Sequence, residues 1–340
     1  MMTKPSIVVL FALFLLPSLC SSLTPVKPLS EWTAGIANHF GAPKDHPIDP
    51  LNPVVRMGGC SYGELDPTQY PFYNIVAIHP DSQLLNGLET NGCGACFEVQ
   101  CIDQKADHCV NGPFANNVVV VNSGGCANGC GGTTINLHTF AFDKIAAIKF
   151  GMVQTRVRQV ECEPFGYVEV RVKNFRVEEG GYLKVAVRNV PGTGGLAKLE
   201  LKGKANRFAD GGWLTFKNQF GAAWELSGLP DPPFDLRLTV TIDGEERQKI
   251  LSDIIQEAGF TGNVDSNSQF PGVDPFPKTA GLSSRPPSPQ PAASVAPVTP
   301  RTPPAPPPTG SPNATSSDKP NVDPGELDSF LELLTSDEDR

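Results

Sequence analysis

The segment Gly92-Cys93-Gly94-Ala95-Cys96-Phe97-Glu98-Val99-Gln100-Cys101 places three thiols within nine residues. Cys93-x-x-Cys96 is a spacing used by metal ligands and by redox-active dithiols. A zinc site would draw on imidazole partners, and only His108 and His138 lie nearby, without a second CxxC. The compartment decides between these chemistries. Ile7 to Leu19 is almost wholly apolar, with Lys4 before it and Ser18-Leu19-Cys20-Ser21-Ser22 after it. That layout predicts a secretory signal peptide over 1–22, too short to span a bilayer. In an oxidising compartment the thiols read as disulfides, with no metal and no cofactor. Of nine cysteines, Cys20 lies at the cleavage region, which leaves Cys60, Cys93, Cys96, Cys101, Cys109, Cys126, Cys130 and Cys162. The even number fits four disulfides. Six of the eight fall between Cys93 and Cys130, which predicts a compact stapled module, and none follows Cys162, which predicts a domain boundary there.

The rest of the chain must position that module. A length of 340 residues allows two ordinary domains plus extras. The net charge of −9, part of it from Asp337-Glu338-Asp339, argues against nucleic acid as a partner. No second apolar run is long enough for a membrane span. The 34 prolines are unevenly placed. Arg285-Pro286-Pro287-Ser288-Pro289 and Thr302-Pro303-Pro304-Ala305-Pro306-Pro307-Pro308 belong to a stretch that cannot bury a core and favours extended polyproline II. Residues 262–340 are therefore expected to be a disordered, Pro/Ser-rich acidic tail, with at most a turn or two over Leu327 to Leu334. Asn313-Ala314-Thr315 within it is an N-glycosylation sequon, consistent with secretion.

Between signal and tail, residues 23–56 are Pro-rich and polar and read as a loosely structured leader. Residues 57–163 carry short strand-like runs at Phe97 to Gln100, Asn117 to Val121 and Val157 to Cys162, broken by Gly, Asn and Pro. The spacing of Leu137, Phe140-Ala141, Ile145 and Ile148 predicts one helix, capped by Thr133, Thr134 or Asn136. Many strands and little helix predict a small β-barrel. Residues 166–258 alternate strictly in Val168-Glu169-Val170-Arg171-Val172, in Leu183 to Val187 and in Leu236 to Ile242, after which Asp243-Gly244 signals a hairpin. About seven such strands predict an immunoglobulin-like β-sandwich without the cysteine pair of antibody domains.

Gly58-Gly59-Cys60-Ser61-Tyr62-Gly63 and then Asn91 through Cys101 resemble the first domain of expansins, nearest the β-expansin and grass-pollen-allergen branch. Tyr182-Leu183-Lys184-Val185-Ala186-Val187 is similar to the tyrosine-bearing strand of the expansin C-terminal module. Trp213 through Phe220-Gly221-Ala222-Ala223-Trp224 resembles its WGAxW region, and Pro233 to Thr239 its GPFSxRLT strand. The resemblance spans roughly residues 55–257. It implies an all-β chain, a six-stranded double-psi β-barrel followed by a polysaccharide-binding sandwich. It also implies the pairs Cys60–Cys93, Cys96–Cys162 and Cys101–Cys109, which leaves Cys126 and Cys130 to pair locally.

The expansin barrel resembles family-45 endoglucanases, inverting enzymes that need an acid and a base about 6.5–9.5 Å apart. Expansins keep an aspartate in a TxD segment and another in an HFD motif. Here those positions fall on Asn122 and Asn136, and an amide cannot act as a general acid in the ordinary way. No catalytic residue is expected. Asp143 reads as a solvated helix residue, Asp66 as a turn residue and His138 as a surface residue. Asn122 reads as a polysaccharide-binding residue of the groove, Asn136 either as a helix cap or as a partner of sugar hydroxyls there, and Tyr62 as a buried strand residue or as groove floor. What remains is a groove plus an aromatic platform for sugar faces. Tyr182 leads it, Phe220 extends it, and Trp213 and Trp224 either join it or fill the core. The expected function is a secreted, monomeric protein of the extracellular cell wall. It would bind cellulose, xylan or mixed-linkage glucan and loosen non-covalent contacts without hydrolysis. The alternatives are a glucan hydrolase or lytic transglycosylase with an unrecognised carboxylate pair, and a structural wall glycoprotein.

Overall fold

A computed structural model of the chain describes residues 26–41, 58–63, 74–111, 116–126, 130–203 and 212–274. The signal segment, Asp66, Asn313 and the Pro-rich run lie outside the described residues.

Six strands close a barrel: β1 (Thr33–Phe40), β2 (Ile75–Ile78), β3 (Cys96–Cys101), β4 (Asn117–Asn122), β5 (Thr134–His138) and β6 (Met152–Val160), in the spatial order β1-β5-β2-β4-β3-β6. The pairs β1–β5 and β2–β4 are parallel and the other four antiparallel. Every second residue points inward, so Phe97, Val99, Val120, Ile135, Leu137, Val153 and Val157 meet in one core. Each such side chain contributes roughly 1.5–3 kcal/mol on burial.

Two sequence expectations fail here. The segment read as a leader supplies β1, which sits between β5 and β6. Its polar residues hid it, since Ala37 alone among Thr33 to Phe40 is fully buried. The expected helix over 137–148 is also wrong. Thr134–His138 is a strand between β1 and β2, and only Thr139–Phe142 (α1) makes a helical turn. Ile135 and Leu137 alternate toward the core, so the period of two prevails over the weaker helical spacing. Asn136 is accordingly a mid-strand residue rather than a cap. His138 is fully buried rather than on the surface, and its Nδ1 accepts the Phe140 N–H at 3.3 Å.

Nine further strands form the sandwich: β7 (Glu169–Arg176), β8 (Tyr182–Arg188), β9 (Lys198–Gly203), β10 (Leu214–Thr215), β11 (Lys217–Phe220), β12 (Ala223–Ser227), β13 (Phe234–Ile242), β14 (Glu245–Ile255) and β15 (Gly262–Asp265). One sheet runs β10-β9-β13-β14 and the other β11-β12-β8-β7-β15. Asp243 and Gly244 both take positive φ, at 56° and 75°, as the two-residue turn between β13 and β14 requires. The sandwich continues past residue 258. β15 pairs with β7, Phe270 is buried in the core, and Gln269 Nε2 donates to Gly166 O and Asn189 O at 3.2 and 2.9 Å. Gly262-Asn263-Val264-Asp265 is a polar edge strand, and no alternation marks it in the sequence.

Four disulfides join Cys60–Cys93, Cys96–Cys162, Cys101–Cys109 and Cys126–Cys130; the first three are the pairs that the resemblance implies, and the fourth is the local bridge between the two cysteines it leaves over. Cys96–Cys162 ties the start of β3 to the segment leading into the sandwich. Beside it, a Cβ on Gly94 would lie 2.4 Å from Gly194 O, and one on Gly194 would lie 2.2 Å from Gly94 O. Both glycines have positive φ, and barrel and sandwich loops meet there backbone to backbone, with no room for a side chain on either. Lys27 adds a clamp, pairing with Glu161 at 3.0 Å and with Asp243 of the β13–β14 turn.

Candidate functional site

Asn122 ends β4 at a fully buried position. Its Nδ2 donates to Gly92 O at 2.9 Å, and its Oδ1 accepts the Gly124 N–H at 3.0 Å. Its own N–H and C=O bond to Ala95 O and to the Gly94 N–H. Both ends of the amide are therefore committed to backbone, and they fasten the disulfide-rich loop 92–95 to the barrel. A ligand has no access to this side chain, contrary to the expectation for a groove residue.

Asn136 lies elsewhere. It stands beside Asn38 of β1 in parallel register and beside Ala77 of β2. Ile135 and Leu137 face the core, so Asn136 faces outward, half-buried, with its Oδ1 lacking a hydrogen bond. Cys126, Cys130 and Phe40 pack over Ala77 next to it. Asp143 is exposed at the end of α1. Both residues flank β2, Asn122 beside Val76 and Asn136 beside Ala77, but the Asn122 amide is sealed in backbone hydrogen bonds while Asn136 faces outward, so the two side chains belong to different environments.

Tyr62 is buried, and it connects the barrel to the sandwich. With Cys60 and Cys93 it packs on Ala186 and Ala222. Its carbonyl accepts from Arg171 Nη1 at 3.2 Å, Lys173 Nζ reaches Ser61 Oγ at 3.4 Å, and the Ala222 N–H donates to Cys60 O at 3.2 Å. The segment Gly58 to Gly63 is therefore seated on the outer face of the five-stranded sheet.

Cross-strand register fixes what that face presents. One row holds Arg171, Ala186, Ala223 and Phe220. The next holds Asn174, Lys184, Glu225 and Lys217, and the last Arg176, Tyr182 and Ser227. Tyr182 is half-buried, with the Arg176 guanidinium 4.7 Å from its ring centroid. Phe220 is 52% exposed. Four residues along the strand and two strands across separate them, or about 16 Å. Lys184 pairs with Glu225 at 3.0 Å between the two rings.

The other two aromatic candidates are not on this face. Trp224 alternates inward and is buried in the sandwich core. Trp213 precedes β10 on the opposite sheet, where its ring stacks 4.5 Å from the Arg237 guanidinium. Arg237 in turn makes two 2.7 Å bonds to Glu200, and these hold the Glu200 carboxyl below the usual range. Of the two readings left open for the tryptophans, Trp224 takes the core and Trp213 the opposite sheet, so this face carries two separated rings, Tyr182 and Phe220, among charges that the sequence reading left out. Arg171, Lys173, Arg176 and Lys217 carry those charges. Arg171 and Arg176 are outward positions of β7, a signal available in the alternation of Val170, Val172 and Phe175.

Among the described residues no cluster of His, Cys, Asp or Glu is arranged to hold a metal ion. The His108 ring stacks on Phe150 at 3.8 Å and its Nδ1 lies 3.1 Å from Asp103. The Lys105 backbone N–H is the main cause holding the Asp103 carboxyl below its ordinary value, with further help from Gln154 and His108.

Comparison with known proteins bears on both halves. Residues 174–255 match the expansin C-terminal domain family. Expansin-B10 of Oryza sativa subsp. japonica is 28% identical over 237 residues, covering 67% of this chain and 80% of that protein. Expansin-B3 of Arabidopsis thaliana is 26% identical, covering 64% and 77%. The crystal structure of the apo expansin of Clavibacter michiganensis is similar in fold, with a TM-score of 0.51 at 18% identity. It matches along its whole length over 72% of this chain. A variant of that bacterial protein solved in complex with cellohexaose matches with a TM-score of 0.50 at 20% identity.

Proposed function

We propose, from the premise that the chain belongs to the expansin family, that it is a secreted cell-wall protein. It binds polysaccharide and loosens non-covalent glucan contacts without cutting the chain. The observation that carries this reading is the seating of Gly58 to Gly63 on the sheet face that bears Tyr182. Barrel and sandwich then offer one continuous surface to an extended ligand. The bacterial relative solved with cellohexaose supports a polysaccharide as that ligand. Stacking of a pyranose on Tyr182 supplies affinity through its apolar face.

The absence of hydrolysis rests on chemistry. Inverting cleavage needs two carboxyl groups flanking the bond. Asn122 has no exposed surface and Asn136 carries an amide. The Pro-rich segment with its Asn313 sequon serves as a glycosylated spacer in the wall.

The test uses the full chain with insoluble cellulose, xylan-rich wall and mixed-linkage glucan. The wild-type protein is expected to be retained and to extend wall strips under load, with no reducing sugar released. Tyr182→Ala is expected to weaken retention about fivefold, the loss of one stacked ring worth on the order of 1 kcal/mol. Sugar release by the unmodified protein would establish the hydrolase or transglycosylase reading instead.

A further inference from the structure

We infer that the outer wall of the barrel along β1 and β6 is a docking surface for the chain's own acidic, leucine-rich segment Leu327–Leu334. The inference goes beyond the proposed function and needs no polysaccharide.

Register fixes what this wall presents. Ala37, Val153 and Val157 face the core, so Ala34 and Ile36 of β1 and Met152, Gln154 and Arg156 of β6 face outward. Ile36 lies opposite Gln154, with Met152 and Arg156 as its diagonal neighbours. Ile102, directly after β3, lies on the far side of Gln154 and donates its N–H to Gln154 O at 2.9 Å. Ile36, Ile102 and Met152 are 38%, 41% and 54% exposed, so one wall leaves three large apolar side chains in water. Trp32 closes the patch at one end, with the guanidinium groups of Arg156 and Arg158 at 4.4 and 4.3 Å from its ring.

The charges on the wall are unequally answered. Glu98 pairs with Arg158 and accepts from Asn117 Nδ2. Asp103, at the border, accepts the Lys105 and Gln154 N–H groups and lies 3.1 Å from His108 Nδ1. Glu31 is exposed beside Trp32. Arg156 Nε donates to the neutral Gln100 Oε1 at 2.6 Å, and among the described residues no carboxylate pairs with Arg156. Three flexible apolar side chains offer no flat ring for a pyranose, and Trp32 already carries two guanidinium groups. Such a wall suits the apolar stripe of a helix with an acidic flank.

The chain carries that partner. Leu327, Phe330, Leu331 and Leu334 recur at i, i+3, i+4 and i+7, one stripe of a helix, and Asp328 and Glu332 border the stripe on one side. Val322-Asp323-Pro324-Gly325-Glu326 before it is a helix start, with Asp323 as cap, Pro324 in the first position and Glu326 in the third. So short a helix is marginal alone in water and needs a surface to bury its stripe. Roughly fifty residues separate Asp274 from Leu327. At about 3.1 Å per residue, a Pro-rich linker of that length reaches far beyond the ~13 Å radius of gyration of a 100-residue domain. The tether makes docking intramolecular and favours this segment over a free partner.

The experiment follows hydrogen exchange of the full-length chain by mass spectrometry, with a synthetic peptide of residues 321–340 as the undocked reference. Amides of residues 327–334 are expected to exchange at least tenfold more slowly in the chain than in the peptide, at a rate unchanged by tenfold dilution of the protein. Met152→Asp and, separately, Arg156→Glu are expected to reduce that protection at least fivefold. Asp328→Lys with Glu332→Lys should restore it in the Arg156→Glu chain and not in the Met152→Asp chain. An unchanged thermal midpoint shows that the variants remain folded. Exchange as fast in the chain as in the peptide would overturn the inference. So would protection that persists in both wall variants, or a charge swap that restores nothing. Protection lost on dilution would also overturn it and assign the wall to a second copy of the chain.

Discussion

Replacing Asn122 by aspartate changes one nitrogen into an oxygen at a site with no solvent exposure. In the native chain Nδ2 donates to Gly92 O across 2.9 Å. In the variant two acceptors face each other at that distance. Losing the hydrogen bond and leaving the carbonyl unsatisfied costs about 1–3 kcal/mol. Ionisation adds a second cost, since burial without a cation raises a carboxyl pKa by roughly 3–5 units, each unit worth about 1.4 kcal/mol. The protonated acid, by contrast, can still donate to Gly92 O. The sign follows directly. The folded-state pKa of the new carboxyl is raised above its unfolded value of about 3.9, so below pH ~4 both states bind the proton and the deficit is smallest. It grows as pH rises above the unfolded value and levels off above the folded one. Expected deficits are about 1–2 kcal/mol at pH 4 and at least ~4 kcal/mol at pH 7. At roughly 3 °C per kcal/mol, the thermal midpoint at pH 7 drops by about 10 °C. Calorimetry of wild type and Asn122→Asp at both pH values checks this. Equal midpoints at pH 7 would mean that water reaches the site, and the argument from burial would fail. Sugar release by the double variant Asn122→Asp, Asn136→Asp would refute it too, because these two side chains occupy separate environments.

The Lys27 clamp makes stability acid-sensitive: its hydrogen bond is the main cause holding the Asp243 carboxyl below the ordinary value. That contribution is present above the unfolded carboxyl value and is lost as pH falls through the folded one, so Lys27→Met should flatten the acid limb of a midpoint-against-pH curve and reduce its salt dependence. Phe97→Ala removes a fully buried ring from the barrel core, and urea unfolding is expected to show a loss of about 3–5 kcal/mol. Mass mapping of the non-reduced protein should find all eight cysteines from Cys60 to Cys162 in the four observed pairs, and a free Cys126 or Cys130 would contradict the local bridge.

The sequence alone determined whatever depends on neighbours along the chain. Alternation in β8 and β13 gives strands because side chains of a strand point to opposite faces in turn, and Asp243-Gly244 gives the turn after β13 because both positions take positive φ. Four disulfides follow from the count of thiols in an oxidising compartment; three of the pairings come from resemblance rather than spacing, and Cys126–Cys130 is what remains. Tertiary structure decided the rest. β1 and β15 carry too few apolar residues to announce themselves, and they become strands because a barrel and a sheet edge offer partners. Thr134–His138 is a strand because it is flanked on both sides, whereas the spacing of Leu137, Phe140-Ala141 and Ile145 suggested a helix beginning there. The role of Asn122 depends on Gly92, thirty residues earlier in the chain and adjacent only after folding. The character of the binding face has the same origin. Which cations meet a carboxylate, and which rings share a surface, is set by register across five strands, and register is a property of paired strands that no single strand carries.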